Sequence, residues 1–559
     1  MFKRSRTRGP KKAVGWTAKP EQVPAPVAGL NTETSIFAMQ PLDALMLRNL
    51  IPRPYGVALR PGRKLQSHTS GGAVTTLVGH PTSGNLYAFI GTEMYEVSAG
   101  GDISGMTPDI TGLSSDVWHF VQAGDSANQY LIGVSESPLD SPMIIAADSA
   151  IRRMTRDDGA PTTIGNIGGV DPENFTHVSI HQRRVWFVDA VAGTGWYLGT
   201  DAVSGNATEF DFNPVFTGQG GVAYASGTWS ADLGNGPDDF FVMFSTRGDV
   251  VVYAGTDPAS ASTWAIVGTF YSGRLANRRS LVKFGGDLLF LSEEGLIPMS
   301  RLLTQGGSSP DEPSPRYRGL ARVQSAVSSH VRNSVNNSRW ALVYSPADNL
   351  LLINVPPSSD ITNSALPIVD VTLVGSYEKT FQLAMDTILG AWGEFDDLDA
   401  ECWALFDESL YLGNASAIHS FGGVDHDESD TDGDPVSEIA GSAIQAFTDL
   451  RAPGVDKYPN LVRASVVGFG PLAITASVNL DYDVSPGETP NFTLSGAQNA
   501  VWDTDVWDAG TWGGERVTYR DWSTVGGVGK VVAPVVRITG QARCFWASTE
   551  MVYTTGGLL

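Results

Sequence analysis

Few constellations in this 559-residue chain carry residues suited to chemistry, and each departs from the pattern its chemistry needs. The run Glu428-Ser429-Asp430-Thr431-Asp432-Gly433 sets oxygen ligands at alternate positions before a glycine turn, as a calcium loop does. The closing bidentate carboxylate belongs at 439, where Ile439 stands, and Glu438 falls one short. The run reads as a solvated acidic loop. His177 and His181 lie four apart without the glutamate of an HExxH pair, and the histidines form no Cys/His ligand cluster. Both read as ordinary strand residues. Gly526-Gly527-Val528-Gly529-Lys530 has Thr524 in place of the first glycine of a phosphate loop and Val531 in place of its Ser or Thr. Gly193-Thr194-Gly195 with Gly199 misses the dinucleotide spacing by one, and Gly133-Val134-Ser135-Glu136-Ser137 breaks the nucleophile elbow at its last position. Each reads as a turn. With 60 Asp and Glu in the chain, any pair can be named as acid and base, so naming one says nothing. No catalytic residue, metal site or cofactor is expected.

Two further features bear on binding. Trp502, Trp507, Trp512 and Trp522 cluster near the C-terminus, and exposed aromatic platforms bind sugars. Asp508-Ala509-Gly510-Thr511-Trp512 is one degenerate copy of the Asp-box of sialidase propellers, and one copy is no repeat. Large amphipathic rings also anchor subunit interfaces, and that reading is preferred. Lys3, Arg4, Arg6, Arg8, Lys11 and Lys12 form a basic arm that suits either DNA phosphates or an acidic partner in an assembly.

The elements that must position these residues are strands. With 62 Gly, 32 Pro and a 42% hydrophobic share, the chain has the material for several cores and many turns, which points to an all-β class. A net charge of −23 argues against a surface that wraps nucleic acid throughout. Two cysteines, Cys402 and Cys544, are too few for a disulfide framework and suggest synthesis in a reducing compartment. No segment reaches 18 uninterrupted apolar residues, and no apolar stretch follows the basic arm, so neither a membrane span nor a secretion leader is expected.

From about residue 70 to 424 a strand–turn–strand unit recurs, with Gly-Asn, Gly-Asp, Asp-Asn or related pairs at the turn. Instances start at Ser83, Arg183, Arg247, Gly286, Ala347 and Asp407, roughly one blade and an elaborated loop apart. The expectation is a β-propeller of about six blades over 70–424, with an array of β-sandwiches as the alternative. Around it lie a flexible basic and Pro-rich arm (1–28), an N-terminal docking segment (29–69), an acidic loop (425–439) and a C-terminal β domain (440–559) that packs on or closes the propeller. Pro41 to Leu50 reads as a helix, and Arg318 to Arg332 as a short helix or a loop.

Several strings, ordered along most of the chain, resemble the tail nozzle or tail-hub (packaged-DNA stabilisation) proteins of short-tailed bacteriophages. They begin with Gly29-Leu30-Asn31, Pro41-Leu42-Asp43-Ala44, Asn49-Leu50-Ile51-Pro52-Arg53-Pro54-Tyr55-Gly56-Val57 and Arg60-Pro61-Gly62. Gly390-Ala391-Trp392, Ala400 to Phe406, Leu410-Tyr411-Leu412-Gly413 and Gly422-Gly423-Val424 are similar to that family's last blade. Ala446-Phe447 and Val478 to Asp483 fit as well. The resemblance implies a structural virion protein without enzymatic activity: a homo-oligomeric ring, usually a hexamer, that retains packaged DNA and passes it during ejection. It implies tail adaptor (head-to-tail connector) and tail fibre or tailspike proteins as partners, and assembly in the host cytoplasm. Double-stranded DNA would slide through the lumen, and a carboxylate-lined wall would keep it from adhering. The loop residues Asp425, Asp427, Glu428, Asp430, Asp432 and Asp434 are expected at that channel or at a tip. A propeller glycosidase or a glycan-binding receptor module on the virion is the competing reading.

Overall fold

The computed structural model describes residues 19–69, 72–97, 102–159, 163–232, 237–304, 319–357, 379–428, 436–484 and 516–556. Within these the chain is all-β, built from many small sheets, with the short helices Met299–Thr304 and Gln324–Asn333 on one side. The second helix lies where Arg318 to Arg332 was read as helix or loop.

Seven antiparallel sheets follow one another between residues 74 and 421. The first comprises Val74–His80, Asn85–Ile90 and Glu93–Val97, and the second Trp118–Gly124, Gln129–Ser135, Met143–Ala146 and Ile151–Arg153. Phe175–His181, Arg184–Asp189, Thr194–Tyr197 and Thr208–Phe210 make the third. The fourth is Ala223–Asp232, Pro237–Ser245, Asp249–Gly255 and Trp264–Tyr271, and the fifth is Leu281–Phe284, Asp287–Ser292 and Gly295–Pro298. The sixth runs Ala341–Ser345, Leu350–Val355, Phe381–Asp386 and Ala391–Phe395, and the seventh starts Cys402–Phe406, Ser409–Gly413 and Ala417–Phe421. Middle strands such as Asp287–Ser292 and Leu350–Val355 are buried along their whole length, so they read as continuous apolar runs.

First strands pack against first strands from the second sheet to the fourth and from the fifth to the seventh, Ala223–Asp232 packs against Asp287–Ser292 of the fifth, and Cys402–Phe406 of the seventh packs against Val74–His80 of the first. The Trp118 amide donates to the Thr76 hydroxyl at 3.1 Å between the first and second sheets, so the series closes on itself. The closing strand comes from the N-terminal side: Arg63–His68 pairs antiparallel with Ala417–Phe421 and completes the seventh sheet. The C-terminal strands, expected as a possible closure, go elsewhere. Turn pairs had marked six of the seven sheets. The second escaped because its first hairpin turns through Asp125-Ser126-Ala127-Asn128, where the Asp125 side chain accepts from the Ala127 and Asn128 amides at 2.8 and 2.7 Å. That Asx turn needs no glycine and leaves no two-residue signature.

The C-terminal strands build a two-sheet sandwich with N-terminal ones. One sheet holds Lys457–Gly468 and Cys544–Thr555 beside Lys19–Pro24, Leu50–Arg53 and Gly56–Leu59; the other holds Ile439–Gln445, Leu472–Leu480 and Val532–Gly540 beside Asp43–Arg48. Alternating residues of Lys457–Gly468 and Leu472–Leu480 face a shared core that includes Val462, Val466, Ile474, Val536 and Trp546. Two expectations are corrected here. The flexible arm does not extend to residue 28, because Lys19–Pro24 pairs along its length with Cys544–Thr555. Pro41 to Leu50 is no helix: Asp43–Arg48 is a strand buried on both faces, and buried strands carry unbroken apolar runs that periodicity cannot tell from helix. The same strand touches the sixth sheet through one parallel pair, Arg48 with Glu394, so that sheet continues into the sandwich.

Candidate functional site

The ring of sheets encloses a cavity of about 500 Å³. Every first strand contributes to its wall, with Leu77, Phe120, Val178, Gly227, Val282, Leu342 and Trp403 in ring order. The lining is unlike the chain as a whole. Its charged residues are Arg278, Arg279 and Lys283, and among the described residues it holds no carboxylate. The carboxylate pair of a glycosidase is therefore not found in this wall.

The polar side chains concentrate at the end where the first strands begin. Strand alternation puts His177, Ser179 and His181 on one face of Phe175–His181, and His177 and Ser179 line the cavity. His177 Nε2 donates to the Ser226 carbonyl at 3.0 Å, and the Ser179 and Ser226 hydroxyls share a 2.7 Å bond. That bond assigns the proton of neutral His177 to Nε2, which leaves Nδ1 as an acceptor; it is buried and unpartnered. Burial pushes the His177 pKa down to about 3, helped by the charge of Arg278, so the ring is neutral at physiological pH. The His119 ring lies 5.5 Å from it, and His119 Nε2 donates to Glu136 Oε1 at 3.1 Å. Burial opposes the ionised form of Glu136, yet the His119 bond and the Arg279 and Arg278 charges outweigh it and hold its pKa near about 2.

The two arginines play different parts. Arg279 is spent on the fold: it donates to the Thr75 carbonyl at 2.7 Å, to the Trp118 carbonyl at 3.2 Å and to the Thr76 hydroxyl, tying the first, second and fifth sheets together. Arg278 uses only Nε, donating to the Tyr224 carbonyl at 3.2 Å, and its guanidinium lies 4.2 Å from the centre of the Tyr224 ring. That stacking holds the plane of the fork while its Nη atoms stay available. Cys402 also lines the cavity, but its thiol donates to the Val74 carbonyl and burial pushes its pKa to about 12, so it is no nucleophile.

The sequence-level candidates fare unevenly. Lys3, Arg4, Arg6, Arg8, Lys11 and Lys12 lie outside the described residues, as do Asp430, Asp432, Asp434, Trp502, Trp507 and Trp512. Asp427 is corrected: it is 6% exposed and cannot line a channel. Its carboxylate takes both Nη atoms of the fully buried Arg60, and Arg60 also reaches Asp397 at 2.6 Å and Asn49 at 3.3 Å. Burial works to lower the Arg60 pKa, but bonds and charges from Asp427 and Asp397 more than offset it. Glu428 is tied back too, accepting from the Leu65 amide at 2.8 Å. Asp425 lies in a separate cleft of about 570 Å³ with Tyr55, Arg53 and Phe545. Among the described residues no group of three His, Cys, Asp or Glu could hold a metal ion. Ser135 is buried and bonded to Asp140 at 3.1 Å, and Gly526 to Lys530 leads into a strand, with no helix to cradle phosphate. Trp522 is exposed beside the Arg463 guanidinium, 4.3 Å from its ring centre. Arg278, His119 and Glu136 were missed, because nothing in Asn277-Arg278-Arg279-Ser280 distinguishes it from a solvated turn such as Gln182-Arg183-Arg184.

No family model matches the chain, and no curated protein matches it. Among solved structures, Raptor from Chaetomium thermophilum is similar at 10% identity with a TM-score of 0.35, covering 65% of this chain and 29% of that one. A likeness that weak does not speak for the fold or the function.

Proposed function

We propose that the chain is a structural subunit of a short-tailed phage tail, the nozzle or hub, and that its seven sheets are the blades of a propeller. In this reading six copies form a ring below the adaptor proteins, carry fibres or tailspikes, and retain and then pass duplex DNA. The chain performs no chemistry; it shapes a channel in the virion.

The observation that carries the reading is where the residues behind the resemblance meet. A Cβ on Gly29, whose φ is +80°, would stand 2.6 Å from the Trp392 carbonyl oxygen, and one on Gly62 would stand 1.9 Å from that of His426. Asn31 donates to Asp43 at 2.9 Å, and Asp43 accepts from Arg322 at 2.5 Å. Asn49 and Arg60 share the Asp397 carboxylate, Arg53 reaches Asp386 at 2.9 Å, and Trp392 donates to the Gly319 carbonyl at 2.8 Å. Strings far apart in the chain thus converge on one joint between the sixth and seventh sheets and the sandwich. Residues that define a shared architecture meet in this way, and several of them, Arg53, Tyr55 and Gly422 to Val424, also line the cleft that holds Asp425. The six-copy charge, with −23 on each chain, suits a lumen that repels phosphates.

Purification followed by light scattering and negative-stain imaging tests the ring. A sixfold particle with a central hole is expected, and a chain that stays monomeric at high concentration overturns the reading.

A further inference from the structure

We infer that the outer strand of the fourth sheet, Trp264–Tyr271, is an interface on which a second copy of this chain pairs strand to strand about a two-fold axis. This does not rest on the nozzle reading: a two-fold pair cannot close a sixfold ring, whose contacts use other surfaces.

The inference starts from a contrast among sheet edges. An edge strand turns a row of N–H and C=O groups outward, and proteins guard such rows with charge, proline, short length or cover. The first strands line the central cavity, so their edges lie inside the ring of sheets. The other outer edges are guarded in turn. In Glu93–Val97 the Met94 amide donates to the Ile110 carbonyl at 3.0 Å and the Glu96 amide to Asp109 at 2.7 Å. Ile151–Arg153 and Thr208–Phe210 are three residues each and carry Arg152, Arg153 and Glu209. Gly295–Pro298 ends in proline and packs against the helix Gln324–Asn333. Ala391–Phe395 continues into the sandwich. Arg63–His68 carries Arg63 and Lys64, and its Leu65 amide is bonded to Glu428 at 2.8 Å.

Trp264–Tyr271 has eight residues, no charge and no proline, and Ala265, Ile266, Val267, Thr269 and Tyr271 are exposed. Among the described residues its backbone bonds only to Asp249–Gly255. A bulge at Val267, between the pairs Val252–Gly268 and Tyr253–Ile266, is its one irregularity, and residues 268–271 beyond it keep a regular register. The sandwich has a long uncharged edge too, Leu472–Leu480, but none of its residues is exposed.

That contrast selects the occupant. A head-to-tail contact between copies needs two different open edges, and the described residues offer one. Two copies therefore join like edge to like edge. A two-fold axis normal to the sheet sets the strands antiparallel and runs four strands from each copy into one sheet. Each chain carries −23, so two copies repel at long range, and an uncharged strand is where they meet with least opposition.

Sedimentation velocity over a concentration series, with hydrogen exchange on the same samples, tests this. A reversible equilibrium between one species and another of twice its mass is expected. The outward amides of residues 268–271 should exchange more slowly as the heavier species grows, a comparison that needs no variant. Thr269→Lys sets like charges across the axis and should weaken the doubling about tenfold or more. Whether the lighter species is a monomer or a ring bears on the nozzle reading alone. A native chain that never doubles overturns the inference and leaves the edge to an extended segment of another protein. Doubling that persists in Thr269→Lys protein with unchanged circular dichroism, or that leaves exchange along the strand as it was, overturns it too.

Discussion

Two buried polar clusters in this molecule use arginine to opposite ends. At the joint, Arg60 is surrounded by acceptors: all three guanidinium nitrogens donate, to Asn49, Asp397, Asp427 and the Pro61 carbonyl. Two carboxylates face one cation, and burial raises the Asp397 pKa against the pull of Arg60. At the cavity, donors exceed acceptors, Arg278 keeps open valences and His177 lacks a partner. A saturated cluster fixes one arrangement of the chain and has nothing left to bind. An unsaturated one costs stability.

The largest effect should come from breaking the saturated side. Arg60→Met leaves the buried Asp427 without its cation, while Asp397, 38% exposed, can turn to water; the change should cost about 3–5 kcal/mol, read as a shift in the denaturant midpoint. Adding Asp427→Asn should recover part of that loss; additive costs would mean the two do not act as a pair. Gly62→Ala drives a methyl into the His426 carbonyl and should cost about 1–3 kcal/mol by the same measurement.

Next comes acid. The His177 pKa is about 3 against an ordinary 6.5, so the unfolded chain binds the proton more readily. Its contribution is present above pH 6.5 and is lost as pH falls toward 3, at up to about 1.4 kcal/mol per unit. Asp397 has the opposite sign: its raised pKa makes its contribution full below 3.8 and lost as pH rises past the folded value. Midpoints measured at pH 7 and pH 5 should therefore fall less for His177→Phe than for the native chain, by about 1–2 kcal/mol. Asp397→Asn should make that fall no smaller, since the Asp397 contribution grows as pH falls. An unaltered fall in His177→Phe would place the acid sensitivity elsewhere, with His181 and His330, both near about 4, next in line.

How much of this was legible follows from the range of each interaction. Two-residue turns are local, so six of the seven sheets showed themselves, and the one with an Asx turn did not. The all-β class and the failed phosphate loop and nucleophile elbow were equally local readings. The Asp43–Arg48 strand was misread because both its faces are buried by residues far along the chain, Ala44 and Leu47 in one core with Val536, and Leu45 and Met46 in another with Phe447 and Val535. The acidic run looked like surface because the partner that buries Asp427 is Arg60, 367 residues away. The cavity site is assembled from five sheets' worth of single residues, and no stretch of sequence contains it.

The smallest effect on stability belongs to a third region, which serves as control for both clusters. Trp264–Tyr271 is the outer strand of the fourth sheet and, among the described residues, pairs only with Asp249–Gly255. Its eight residues, Trp-Ala-Ile-Val-Gly-Thr-Phe-Tyr, carry no charge, and Ile266 and Val267 are 47% and 45% exposed. Edges of that kind invite pairing with other chains and are usually guarded by Lys or Pro. Ile266→Lys should change the unfolding midpoint by no more than about 0.5 kcal/mol, since the side chain leaves little packing behind. It should leave the acid curve where it was. Self-association followed by sedimentation velocity should weaken in this variant if chains meet along the strand. An unchanged sedimentation profile would mean that assembly uses other surfaces. A large loss of stability would show that the strand is covered within the chain, and the edge would then no longer be the neutral reference against which the joint and the cavity are compared.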